Sequence, residues 1–310
     1  VKGYREQILA MIAEVGDLCQ ELTGNVDVIF TGDTWHSKRP DRTSHYLVQQ
    51  VQDVFRNHYH PIFPLLLPGN HDMSSDGEGS LPRQPLGDLR SDAILLRGGE
   101  PISLRDLVVI PRPYNRQRDA DPTYYALTED EKYWLRETKT PATHILLVAH
   151  GSILPPGQSR PFPYITADQI DTTGIDVIAC GHLHEDLGIH RLKDGTLFLN
   201  LGSIARTSRT QDNLTRPVKV AVITFSDVIS VEEVPLKSVL PASEVFYETV
   251  MGGTDPDTAD EIVEFAESLA RGLDVETITI DELLADMPDF PDVDREEVGA
   301  LVKHYLEEEA

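Results

Sequence analysis

Four apolar stretches run into the same kind of polar stop. "VDVIFTGD" (26–33) ends in Asp33, and "PLLLPGNHD" (64–72) ends in Asn70, His71 and Asp72. "ILLVAH" (145–150) ends in His150, and "DVIACGHLH" (176–184) ends in His182 and His184. Carboxylate and amide oxygens combined with imidazole nitrogens make a donor set for divalent metals, better suited to manganese, iron or zinc than to calcium. Asp33 can bridge two ions through its two oxygens. A pair of ions about 3.5–4 Å apart can clamp a phosphoryl group for in-line attack. His71, between Asn70 and the acidic Asp72, is placed to protonate a leaving alkoxide. Asp72 is expected to orient it as an outer-shell partner.

These residues can act together only if the fold gathers them. Glycines flank the polar stops and let the chain turn sharply where each strand ends. In open α/β sheets, ligand groups collect beyond the carboxyl ends of strands. The expectation is therefore that Asp33, Asn70, His150 and the His182–His184 pair share one small volume. Other histidines fail this positional test. His58 and His60 precede the 61–67 strand, roughly 20 Å from Asn70 at about 3.3 Å per residue. His144 lies at the wrong end of its strand. His45, His190 and His304 read as surface or structural groups.

The elements behind the motifs follow from periodicity. Ile8, Leu9, Ile12, Val15, Leu18, Cys19 and Leu22 recur at helical spacing, so 3–22 reads as an amphipathic helix. Residues 42–57 and 128–137 also read as helices, and "GEGSLPRQPLGD" (77–88) reads as a Gly/Pro-rich loop. Strands are expected at 26–33, 61–67, 106–111, 144–151, 174–184, 187–192, 196–203, 218–226 and 229–235. Helices and strands alternate first and strands then follow one another, which predicts a layered α/β or α+β domain around two packed sheets. A linker is expected over 237–257. Helical patterns then appear in "TADEIVEFAESLARGL" (258–273) and "DREEVGALVKHYLEEE" (294–309).

Composition sets limits on partners. The 310 residues carry a net charge of −25, of which −18 falls in residues 241–310. So acidic a chain does not attract nucleic acid by its mean field, and DNA binding would need local basic clusters. Three exist: Lys38, Arg39 and Arg42; Arg112, Arg116 and Arg118; Arg206, Arg209 and Arg216. They read either as phosphate contacts or as solvated loop charge. Trp35 and Tyr114 read either as base-stacking groups or as packing. Cys19 and Cys180 read as buried small hydrophobes and suit a reducing cytoplasm. The apolar runs are far shorter than the roughly 18 residues needed to span a bilayer, and no signal peptide is apparent. The expected location is the cytoplasm, with no membrane partner.

The motifs "GD" (32–33), "GNHD" (69–72), "AHG" (149–151) and "GHLH" (181–184) resemble the calcineurin-like metallophosphoesterase family. "GDTWHSKRP" (32–40) and "NLGSIARTS" (200–208) resemble its nuclease branch, the SbcD-like subunit of DNA repair complexes, which has phage-encoded relatives. The resemblance covers residues 1–236. It implies a two-sheet β-sandwich flanked by helices, phosphodiester hydrolysis, and two divalent ions, usually manganese. Asn70, His150 and His182 would hold one ion, His184 the other, and Asp33 would bridge them. His71 would be the proton donor, supported by His36. The branch works on DNA with an SbcC-like coiled-coil ATPase, which the 258–310 helices would bind, and it forms homodimers through helices such as 3–22 and 42–57.

One departure stands out against this resemblance. The family's first motif, Asp-x-His, has no counterpart before Asp33. Asp33 and His184 alone would then serve the second ion, so one complete site is expected. The expectation attached to this is N-terminal truncation before that motif, with a strand missing. A small-molecule phosphodiesterase and a non-catalytic one-metal scaffold are the competing readings.

Overall fold

The computed structural model describes residues 4–36, 43–138, 143–206 and 210–246. The chain divides into one unit of Val1–Ser159 with Tyr164–Tyr247 and a second of Arg160–Pro163 with Glu248–Ala310. Every element below belongs to the first. The helical patterns at 258–273 and 294–309 lie outside the described residues.

Helix α1 (Tyr4–Glu21) buries Ile12, Val15 and Cys19 of the stripe that the sequence periodicity marks out, together with Met11. Helix α2 (His45–Val54) starts where the Ser44 side chain accepts the Leu47 N–H, and runs on into a π-helical turn, Phe55–Tyr59. Tyr59 is fully buried, and its hydroxyl donates to the Ile12 carbonyl at 2.7 Å. The segment thus locks onto α1.

Strands β1 (Ile29–Phe30), β2 (Leu65–Leu66) and β3 (Ile94–Leu95) form a parallel three-stranded sheet. β1 and β2 are much shorter than the apolar runs that contain them, because a strand needs a partner in register as well as a pattern. A second, six-stranded sheet contains β4 (Ile102–Leu104), β5 (Leu107–Arg112), β6 (His144–His150), β9 (Val177–Gly181), β10 (Gly188–Arg191) and β11 (Leu197–Asn200). Its order is β10-β11-β9-β6-β5-β4, with β5, β6, β9 and β11 parallel. The parallel core strands are buried along nearly their whole length, which explains their unbroken apolar runs. β7 (Ile153–Leu154) pairs with β8 (Ile165–Thr166), and β12 (Lys219–Thr224) with β13 (Ser230–Pro235).

Three apolar clusters organise these elements. One joins Leu65 and Leu67 of the first sheet to Val109, Leu146, Val148, Val177 and Leu199 of the second. Leu66 points the other way, into a cluster with Met11, Val15, Val48, Phe55 and Tyr59. Ile110, Ile145, Leu147, Ile178 and Phe198 form the third, with Leu135 from α4 (Glu129–Thr138). Strand alternation sends successive side chains to opposite faces, so each sheet packs on both sides.

One expectation needs correction. Residues 77–88 are a 3-10 turn (Gly77–Arg83) followed by a short helix, α3 (Pro85–Asp88), rather than a loop. Pro85 sits at the start of α3, where its missing N–H costs nothing, and Leu81 and Leu86 are buried. The first part of the expected linker carries contacts to the unit. Glu14 accepts the N–H groups of Lys237 and Ser238, and Arg206 donates to the Leu240 carbonyl.

Candidate metal centre

β1 runs out through Thr31 into Gly32 (φ +111°) and Asp33 (φ +52°), a left-handed pair that swings the carboxylate across the end of β2. There Asp33 Oδ1 accepts the His71 N–H at 2.9 Å. A Cβ on Gly69 would collide with that same oxygen and with the Asp33 backbone nitrogen. Only glycine allows so close an approach. His182 (φ +96°) is the third non-glycine residue in positive φ beside Asp33 and Arg105 among those described. A bulky residue held there costs about 1–3 kcal/mol and persists only where its surroundings enforce it, which is common at functional sites.

Asp33, Asn70, His150 and His182 meet. His150 Nε2 lies 3.1 Å from Asp33 Oδ2 and 3.1 Å from Asn70 Oδ1. His182 Nδ1 lies 3.0 Å from the same Asn70 oxygen. One ligand atom from each of Asp33, His150 and His182 falls within 4.8 Å of the others. Asn70 and His150 are only 4% and 1% exposed, so the cluster is set into the protein rather than on it.

The donor set fits a cation. His150 Nδ1 is 2.8 Å from the Thr31 carbonyl, which can only accept, so that nitrogen carries the hydrogen. Nε2, whether as a lone pair or carrying a second proton, then faces the Asp33 and Asn70 oxygens, which are acceptors too. Acceptors facing one another need a positive charge between them. A backbone carbonyl fixing the tautomer of a ligating histidine is the usual support of metal sites. In the protein alone, a proton shared between Asp33 and His150 supplies that positive charge. Burial alone would raise Asp33, but the neighbouring His150, with His71 and His182, holds its carboxyl well below the usual range. Burial would lower His150, and Asp33 outweighs it and raises it.

The remaining predicted residues surround this set. The His71 and His36 rings stack, 5.8 Å apart and 6° from parallel, with His36 exposed. His184 is outside the compact ligand group among the described residues. Its imidazole is pushed down to about 4, chiefly by burial, and so is neutral at pH 7. The Asp72 carboxylate accepts three backbone N–H groups: Gly69 at 2.9 Å, Trp35 at 3.1 Å and Thr34 at 3.2 Å. It ties the GNHD loop to the GD loop, a role its place beside His71 does not disclose. Burial, and then the Asp33 charge, push its carboxyl above the usual range.

The histidines set aside on position sit elsewhere. His58 bonds Asp17 on α1, His144 faces Asp176 and Phe225, and His190 bonds the Leu187 carbonyl. The basic clusters divide. Arg112, Arg206 and Arg216 are buried, bonded to Glu131, to backbone carbonyls and to Asp212. They are neither solvated nor open to a phosphate. Arg118 pairs with Asp121 and lies over the Tyr124 ring. Lys38, Arg39, Arg42 and Arg209 lie outside the described residues. Trp35 is buried core.

Residues 2–186 match the family model described as calcineurin-like phosphoesterase. The chain belongs to that family. A search of curated proteins finds no match. Calcineurin-like phosphoesterases are dimetal enzymes that hydrolyse phosphoesters, and the matched segment contains all four clustered residues. No helix among the described residues is long and apolar enough to cross a membrane.

Proposed function

We propose that this phosphoesterase is a DNA nuclease subunit of the SbcD-like branch, carrying one complete divalent-ion site. The observation that carries the metal reading is the meeting of Asp33, Asn70, His150 and His182, whose donor atoms lie 3.0–3.1 Å apart. These four would hold the ion, and Asp33 and His184 would contribute to a second. Bound divalent ions, manganese foremost, would neutralise phosphoryl oxygens and activate an attacking water. His71, held at the rim by its N–H to Asp33 and stacked on His36, gives its proton to the leaving oxygen. Asp72 keeps the two loops in register. The two-sheet sandwich with flanking helices is the frame that presents these loops together. The nuclease assignment rests on the "GDTWHSKRP" and "NLGSIARTS" motifs. On the same basis the protein works in the cytoplasm as a homodimer, and residues 258–310 dock on a coiled-coil ATPase.

The test combines calorimetry with two substrates. Manganese titration is expected to give one tight site, and a residual manganese-dependent cleavage is expected on linear duplex DNA. His71→Gln should lower that cleavage by about 10²–10⁴ while leaving ion affinity unchanged. Two tight sites would contradict the single complete site. Hydrolysis of a chromogenic phosphodiester with none of DNA would contradict the nuclease assignment. Loss of ATPase capture on removing residues 241–310 tests the docking role.

A further inference from the structure

We infer that the segment joining β5 to α4 is a positioning clamp for the two ligand imidazoles, acting through Tyr114 and Asp119. The inference rests on the metal-centre reading above. The Tyr114 ring centroid lies 5.5 Å from that of His182 and 6.3 Å from that of His150. Its backbone N–H donates to the Pro68 carbonyl at 3.1 Å, which fastens the ring to the loop that carries Asn70. His182 occupies an unfavourable backbone conformation, and such a conformation needs packing to enforce it. Tyr114 supplies a wall against that imidazole, its ring tilted 37° from the imidazole plane.

Asp119 works on His150 through the turn that follows it. Its Oδ1 accepts the Ser152 N–H at 2.8 Å and the Tyr125 hydroxyl at 3.0 Å. Its Oδ2 accepts the Ser152 hydroxyl at 2.6 Å. Tyr125 is fully buried, so this network is anchored in the core. Between His150 and Ser152 stands Gly151, where a Cβ would meet the Tyr125 hydroxyl and Asp119 Oδ1. The turn therefore sits flush on the Asp119–Tyr125 pair and cannot rotate without breaking the two Ser152 hydrogen bonds. Asp119 is outside the group formed by Asp33, His150 and His182, so Tyr114 and Asp119 are assigned a positioning role. Their effect passes through the imidazoles they hold, and outer-shell supports of this kind are worth about 10–100-fold in metal affinity.

The test reads metal binding on the full chain, by manganese calorimetry and by the visible absorption of bound cobalt, with thermal unfolding measured alongside. Tyr114→Ala and Asp119→Ala are each expected to weaken manganese binding by about 10–100-fold and to shift the cobalt bands. Tyr114→Phe keeps the ring, and Asp119→Asn keeps an acceptor for two donors and a donor for the Ser152 hydroxyl. Both should restore wild-type affinity and spectrum. If an alanine variant does not fold, Tyr114→Leu and Asp119→Ser carry the same expectation. Folded truncation variants with wild-type affinity and spectrum would overturn the clamp while the metal reading stands. Absence of binding by the wild-type chain would overturn the metal reading, and the clamp with it.

Discussion

Gly69→Ala is expected to abolish tight divalent-ion binding, a loss of more than about 100-fold in affinity. The added Cβ would fall on Asp33 Oδ1 and on the Asp33 backbone nitrogen. Neither can retreat easily. The oxygen is bonded to the His71 N–H, and the backbone is already in positive φ. The GD and GNHD loops must therefore move apart, and metal sites tolerate little displacement of their donors. Overpacking of this kind also costs about 1–3 kcal/mol of stability. Gly79→Ala is the control, since a Cβ there meets nothing within 4 Å. Calorimetry and thermal unfolding on the two variants decide it. Equal ion affinity in Gly69→Ala and wild type would show that the loops need not approach as closely as they do.

Glu131→Gln is expected to destabilise the fold by about 3–5 kcal/mol, the usual cost of leaving a buried charge without its partner. Arg112 and Glu131 have side chains only 4% and 5% exposed, and they meet at 2.6 Å. Every N–H of the Arg112 guanidinium has an acceptor: both Glu131 oxygens and the carbonyls of Pro111, Tyr124 and Ala126. Glu131 also closes the start of α4, exchanging hydrogen bonds with Thr128 in a reciprocal cap. Replacing both partners together, as in Arg112→Met with Glu131→Leu, should cost far less than the single change.

The pH dependence of that pair has a definite sign. Burial would raise the Glu131 carboxyl, but Arg112 and Thr128 outweigh it and hold it below its ordinary value of 4.5. A carboxyl depressed in the folded state adds stability above its unfolded pKa and loses it as pH falls through the folded one. The gap between wild type and Glu131→Gln in urea unfolding should thus be constant above pH 4.5 and shrink below it. A gap under about 1 kcal/mol, or one that does not change in acid, would contradict the buried pair.

The residues that cluster were legible because their chemistry is local. Phe30 to Asp33, Leu67 to Asn70, Ala149 to His150 and Cys180 to His182 each change within a few residues from apolar types to types that bind metals. A parallel strand that ends in a donor delivers it to one end of its sheet. The supports were not legible, because they depend on partners distant in sequence. Arg112 follows a strand just as a solvated or phosphate-binding arginine would, and its partner lies nineteen residues on, in α4. Asp119 sits in a polar loop whose composition gives no sign that its carboxylate holds the turn after His150. Asp72 stands beside His71 in sequence, yet it gathers N–H groups from the other loop. Strand lengths were overestimated at 26–33 for the same reason, since a ladder is a property of two segments.

The most direct measurement is anomalous diffraction from crystals of the full chain soaked in manganese. A peak is expected within bonding distance of Asp33, Asn70, His150 and His182, at higher occupancy than any peak near His184. No peak at those four residues, with manganese bound elsewhere or not at all, would contradict the metal centre.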